Sequence, residues 1–135
     1  MAILTTAKQK QLIEYWRLNA KRKATVMEAL YGSKKYADAL FFGHLVLECT
    51  LKGLVVKRTK EHALKIHNLV RLAEIARLEI SLEEKKFLAQ VNEFNMATRY
   101  PDEKFLFYKQ CNKKFTDSFI PHIKQLYKNL CLLLT

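Results

Sequence analysis

The stretch YADALFFGHLVLECTLKGLVVKR, from Tyr36 to Arg58, decides the fold of this chain. It contains no proline, and its apolar residues fall on nearly every side of the helix that it predicts. A helix that is apolar all round is buried among other elements rather than lying on a surface. The sequence therefore predicts that this segment is the central helix of a helical bundle.

Three polar side chains interrupt this apolar pattern at a spacing of four residues, and we call them the polar row: His44, Glu48 and Lys52. Residues four apart stack along one side of a helix. A carboxylate among apolar residues needs a partner, and Lys52 is placed to supply it, so Glu48→Leu is expected to be tolerated. The alternative is that the row faces solvent, where an ion pair contributes at most about 1 kcal/mol.

Composition predicts the rest of the architecture. The 135 residues fit one domain, residues 1–135, and only 3 glycines and 2 prolines favour long helices over short strands. We expect an all-α fold, an up-and-down antiparallel bundle of four long helices plus a short extra helix. The other helices are predicted from Thr6 to Tyr31, with Gly32 as a left-handed stop, from His67 to Leu78 (the short one, with Asn68 as its cap), from Leu82 to Thr98 (with Ser81 as its cap), and from Thr116 or Asp117 to Leu133. Residues 102–114 fit either an extended or a helical segment.

The charge is strongly unbalanced, with 24 Lys and Arg against 13 Asp and Glu, a net charge of +11. Such a field attracts nucleic acid, nucleotides or an acidic protein partner. The alternative is a lysine-rich set of solvated helix faces, because the basic residues are spread along the whole chain.

Several classes of protein are disfavoured by the motifs. The three cysteines, Cys49, Cys111 and Cys131, have no CxxC spacing, which argues against a disulfide framework and a zinc site. The sequence has no glycine-rich phosphate loop, no GxSxG and no HExxH, so we expect no cofactor and no metal site. It shows no signal peptide and no uncharged membrane span, so we expect a cytoplasmic protein without a membrane partner.

A second candidate site lies in Arg-Tyr-Pro-Asp, residues 99–102, where a helix must end because Pro101 disfavours helical backbone at the residue before it. The guanidinium of Arg99 can reach out of such a helix end toward a phosphate or carboxylate. The alternative is that Arg99 caps the last carbonyls of the helix and pairs with Asp102 or Glu48. The candidate ligand- or partner-binding residues are those of the polar row, the first candidate site, and here Arg99, Tyr100, Asp102 and Asn95.

Taken in order, these motifs resemble a known family. The polar row, then His-Asn-Leu-Val-x-Leu from His67 to Leu72, then Arg-Tyr-Pro-Asp from Arg99, is similar to the HEPN domain (higher eukaryotes and prokaryotes nucleotide-binding) over about residues 8–134. It most resembles the stand-alone prokaryotic branch, often encoded beside a minimal nucleotidyltransferase. The resemblance implies a helical bundle, usually a homodimer, that handles nucleotide or RNA or pairs with the nucleotidyltransferase in a toxin–antitoxin-type or stress-response pair.

The sequence departs from the pattern of the ribonuclease members of the family that it resembles. Those members carry an Arg followed four to six residues later by His, and no His occurs from Glu103 to Phe107. Metal-independent RNA cleavage needs a general base and a group that stabilises the phosphorane. Arg99 fits the second role, and Tyr108 or a residue of another subunit is left for the first. The sequence favours a non-enzymatic binding module, the alternative being a metal-independent ribonuclease toxin with a degenerate active site.

Overall fold

A computed structural model describes residues 3–135, so the predicted domain boundary at Met1 and Ala2 lies outside the described residues. The described part is all-helical, in the order α1 (Thr6–Gly32), α2 (Tyr36–Thr59), α3 (Leu69–Ile75), α4 (Leu82–Met96), α5 (Pro101–Gln110), α6 (Lys113–Asp117) and α7 (Ile120–Leu134). Four of these helices are long, namely α1, α2, α4 and α7. The predicted fold class is therefore confirmed, although residues 3–135 contain three short helices where the sequence predicted one.

The segment that opened the argument is the central helix. α2 packs against α1, α3, α4 and α7, and its residues are buried almost continuously from Ala37 to Val56. It is long and apolar enough to cross a membrane. However, 83% of its apolar 18-residue stretch is buried inside the bundle, as in the core helix of a soluble protein. The fold therefore uses the apolar surface of α2 to hold its other helices.

Two glycines let neighbouring helices approach α2 closely. A Cβ atom at Gly43 would lie 2.8 Å from Cδ1 of Ile123 in α7. A Cβ atom at Gly53 would lie 3.0 Å from Cδ2 of Leu134 and 3.2 Å from Cβ of Trp16. α7 and α1 thus pack against α2 at points where the central helix has no side chain.

The helix ends agree with the sequence in part. Asn68 and Ser81 cap α3 and α4 through side-chain oxygens that accept the amides of Arg71 and Glu84, as predicted. The cap of α1 is Thr5, one residue before the predicted start. The left-handed residue between α1 and α2 is Lys34, with φ of 63°, and Gly32 stays inside α1.

The last third differs most from the prediction. Pro101 opens α5, because a proline has no amide hydrogen to lose in the first turn of a helix. Residues 102–110, most of the segment 102–114 for which two conformations were open, are helical. The predicted last helix is divided into α6 and α7, and Pro121 lies in the first turn of α7 for the same reason.

Candidate functional site

The polar row lies inside the bundle. His44 is fully buried, and Glu48 and Lys52 are each only 6% exposed. Nζ of Lys52 donates a hydrogen bond to Oε2 of Glu48 at 3.0 Å, and Nζ also lies 5.4 Å from the centre of the Trp16 ring. The alternative prediction, in which the polar row faces solvent, is therefore wrong. The Glu48–Lys52 ion pair is buried in α2 against Trp16 of α1.

Glu48 has a further partner outside its own helix. Nδ1 of His67, in the segment before α3, lies 3.0 Å from Oε1 and 3.1 Å from Oε2 of Glu48. A carboxylate can only accept hydrogen bonds, so the hydrogen of the neutral imidazole is on Nδ1. The His67 side chain is 55% exposed, and its Nε2 is then the nitrogen with a free lone pair.

His44 also contacts the segment before α3, through the backbone of His67. Its Nε2 donates to the backbone carbonyl of His67 at 2.9 Å, so its neutral form has no hydrogen on Nδ1. Among residues 3–135 that nitrogen has no hydrogen-bond partner, and it lies 3.7 Å from Oε1 of Glu48. Burial lowers the pKa of His44 below its ordinary value, against the opposing influence of Glu48. His44 is therefore a neutral anchor for the His67 backbone.

His67 opens onto a cleft between the start of α3 and the second half of α4, which we call the α3–α4 cleft. Its volume is about 450 Å³. Its polar lining consists of His67, Asn68, Asn92, Glu93, Asn95 and Arg99. The cleft thus brings together the first residues of two motifs that lie about thirty residues apart in the sequence, His67 and Asn68 of His-Asn-Leu-Val and Arg99 of Arg-Tyr-Pro-Asp.

Asparagines hold the two walls of this cleft together. Asn92 of α4 accepts the amide of Leu69 at 2.9 Å and donates to Oδ1 of Asn68 at 3.0 Å. One turn further on, Asn95 Oδ1 accepts a hydrogen bond from Nη2 of Arg99 at 3.3 Å. These bonds fix the start of α3 against α4 and hold the Arg99 side chain against Asn95 in the lining of the cleft.

The structure brings together some of the residues that the sequence singled out and leaves others apart. Arg99 and Asn95 line the cleft, and Glu48 reaches it through His67. His44 and Lys52 are buried and do not line the cleft. Tyr100, 65% exposed, precedes α5, and Asp102 lies in the first turn of α5; neither lines the cleft. Within residues 3–135, the ion pairs place neither Asp102 nor Glu48 against Arg99.

Tyr108, considered as a proton-transfer group, has another partner. Its hydroxyl donates to Oδ1 of Asp38, near the start of α2, at 2.9 Å. This hydrogen bond raises the pKa of Tyr108 above its ordinary value. A tyrosine that holds its proton more tightly is a poorer general base, so the described contacts do not favour that role.

A model of the HEPN domain family matches residues 13–129. The chain belongs to the HEPN domain family. No curated protein and no solved structure matches it. Membership places this HEPN domain among modules related to nucleotides or RNA in general.

The sequence interpretation missed four polar residues of the α3–α4 cleft: His67, Asn68, Asn92 and Glu93. The first two belong to the quoted His-Asn-Leu-Val motif, and Asn92 is in line with Asn95 and Arg99 at helical spacing. That shared line on α4 was the available signal. Within residues 3–135, no group of three or more His, Cys, Asp or Glu is arranged to hold a metal ion.

Proposed function

We propose that this HEPN domain is a binding module that holds a phosphate group of a nucleotide or an RNA strand at Arg99 in the α3–α4 cleft. The observation that carries the proposal is the environment of the guanidinium. Arg99 is exposed, its side chain bonds to a neutral amide oxygen of Asn95, and no ion pair within residues 3–135 engages it. A planar guanidinium presents paired donors that match phosphate oxygens.

The rest of the cleft supports a ligand larger than a phosphate ion. Its volume of about 450 Å³ falls within the range of small-molecule sites. The amide nitrogens of Asn68 and Asn95 donate no hydrogen bond within the described part of the chain, because each amide uses only its oxygen there. Glu93 lines the same cleft and disfavours a phosphate beside it, so the proposed phosphate position is at the guanidinium of Arg99.

The wider setting is also part of the proposal. We propose a cytoplasmic homodimer without a membrane partner, working beside a minimal nucleotidyltransferase in a toxin–antitoxin-type or stress-response pair. The net charge of +11 supports an acidic partner, whether nucleic acid or protein. Exposed apolar side chains support a further interface, and they include Phe105, Leu106, Leu132 and Leu133.

The test is a binding titration with fluorescent ATP, GTP and a short RNA at low salt. Arg99→Ala is compared with Arg22→Ala, which removes the same charge from an exposed position on α1. We expect Arg99→Ala to weaken binding about tenfold to hundredfold, because a hydrogen bond to a charged group contributes about 1.5–3 kcal/mol. Absence of binding by the unmodified protein, or an equal loss in Arg22→Ala, contradicts the proposal.

A further inference from the structure

The second half of α4 also borders a separate cavity, which it forms with α5, α6 and the residue before α7, and which we call the α4–α5 cavity. Its volume is about 590 Å³, within the range of small-molecule sites. Four phenylalanines line it, of which Phe94 and Phe107 are buried and Phe115 and Phe119 are half-buried. The rings of Phe94 and Phe119 lie nearly perpendicular, with centres 4.9 Å apart. The cavity therefore has an aromatic wall, part of which is open to a ligand.

The helix α5 leaves this cavity open to solvent. Phe107 is the one buried residue among the ten of α5. Leu106 lines the cavity and is 65% exposed, and Met96 at the end of α4 lines it and is 47% exposed. Burial of apolar surface is favourable in proportion to the area removed from water. A ligand with an apolar body would thus gain free energy by covering these two side chains.

The charge of the α4–α5 cavity is opposite to that of the chain. Its charged lining residues are two exposed glutamates, Glu93 and Glu103, and no Lys or Arg of residues 3–135 lines it. The chain as a whole carries 24 Lys and Arg against 13 Asp and Glu. Neither glutamate side chain takes part in an ion pair within the described part of the chain. These carboxylates favour a cation and disfavour a phosphate.

We propose that the α4–α5 cavity binds a small aromatic amine, with its ring against the phenylalanines and its ammonium group paired with Glu93 and Glu103. Aromatic rings pack edge-to-face or offset against one another, and a cation is attracted to the face of a ring. The amine combines both properties in one molecule. This site does not depend on the phosphate site at Arg99, because the two take ligands of opposite charge.

The experiment is a titration of the isotope-labelled whole chain with tryptamine, followed by the backbone amide signals in NMR spectra. Two compounds with the same ring are compared with it, the neutral tryptophol and the anionic indolepropionate. We expect tryptamine to shift the signals of the residues that line the cavity, such as Ala97 and Leu106, until they saturate. Tryptophol should bind about fivefold more weakly, since an exposed ion pair contributes up to about 1 kcal/mol. Indolepropionate should produce no saturable shift.

Two pairs of variants locate the site. Glu103→Gln is compared with Glu83→Gln, because both glutamates are exposed in the first turn of a helix and Glu83 does not line the cavity. Glu103→Gln should raise the Kd for tryptamine about fivefold, and Glu83→Gln should leave it unchanged. Leu106→Ala should raise it about threefold, because apolar contact is lost, whereas Leu82→Ala, which is 68% exposed outside the cavity, should not.

Four outcomes would overturn the inference. The first is the absence of a saturable shift in the cavity signals. The second is an equal affinity for tryptamine and tryptophol, and the third is an equal loss in Glu103→Gln and Glu83→Gln, which would assign the binding to the general field of the protein. The fourth is a shift of the same signals on dilution without any ligand, which would show that a second copy of the chain covers the cavity. The spectra themselves establish that each variant is folded.

Discussion

Nδ1 of His67 lies 3.0 Å from Oε1 of Glu48, which joins an exposed side chain before α3 to a buried carboxylate of α2. Because of this bond, the polar row is connected to the α3–α4 cleft although none of its three members lines that cleft. The buried row and the surface motif are therefore two parts of one arrangement, and changes to one should be measurable in the other.

The partners of Glu48 revise the expectation for its replacement. Glu48→Leu should lower the free energy of unfolding by about 3–5 kcal/mol, because it leaves Lys52 buried without a counter-charge. The double variant Glu48→Leu/Lys52→Met should recover most of the loss, since no buried charge remains. Urea unfolding curves of the three proteins provide the measurement. A single variant as stable as the unmodified chain would show that Lys52 escapes to solvent.

The buried His44 predicts a pH dependence of stability. Its pKa is lowered in the folded state below the ordinary 6.5, so the unfolded chain binds more protons in acid. Stability should therefore be fully present above about pH 6.5 and fall as the pH drops below it, by at most about 1.4 kcal/mol per pH unit. The groups facing His44 are Glu48, His67 and Asn92.

The matching variant is His44→Gln, whose side-chain amide can still donate to the carbonyl of His67. Urea midpoints of this variant should vary less between pH 5 and pH 7 than those of the unmodified chain, a window set by the histidine pKa of about 6.5. Equal slopes in the two proteins would assign the acid sensitivity to another group.

The role of Arg99 predicts a change in salt dependence as well as affinity. For single strands, the logarithm of the binding constant falls with the logarithm of salt concentration by about 0.7 for each phosphate neutralised. Arg99→Ala should make this slope shallower by about 0.7, and Arg22→Ala should leave it unchanged. Titrations of a short RNA between about 50 and 200 mM salt measure both slopes. A slope unchanged in Arg99→Ala would place the phosphate elsewhere.

The close packing at Gly43 predicts opposite effects of two alanine substitutions. Gly43→Ala places a Cβ 2.8 Å from Ile123 and should destabilise by about 1–3 kcal/mol through overpacking. Gly32→Ala meets nothing within 4 Å at the end of α1 and should stabilise by about 0.5–1 kcal/mol. Thermal melts of both variants test the pair. If Gly43→Ala has the same melting temperature as the unmodified chain, α7 can shift away from the added Cβ without loss of stability.

Helical periodicity predicted the part of the fold in which one side of a helix is buried. The predicted helix α4 buries Phe87, Leu88, Val91 and Phe94, which recur at helical spacing in the sequence. α5 gave no such signal, because within it only Phe107 is buried and its other aromatic residues are exposed. Because only one residue of this segment is buried, its sequence shows no helical periodicity of apolar residues.

The site was predictable only where a motif marked it. Arg99 was found because a proline forces the end of a helix there. The contact between Glu48 and His67 was not, since residues 60–68 form no helix and no spacing rule relates a segment of that kind to a position on α2. The sequence showed that the carboxylate needed a partner and offered the nearest one, Lys52, while the second partner depends on tertiary structure.

Asn92 bonds to both the first amide of α3 and the side chain of its cap residue, Asn68. A change at position 92 therefore alters a helix end that belongs to a different segment of the chain, and the reverse holds for position 68. Among descendants of this sequence, the two positions should vary together or not at all. In related sequences, the presence or absence of both asparagines would then indicate whether the cleft between α3 and α4 has been kept or lost.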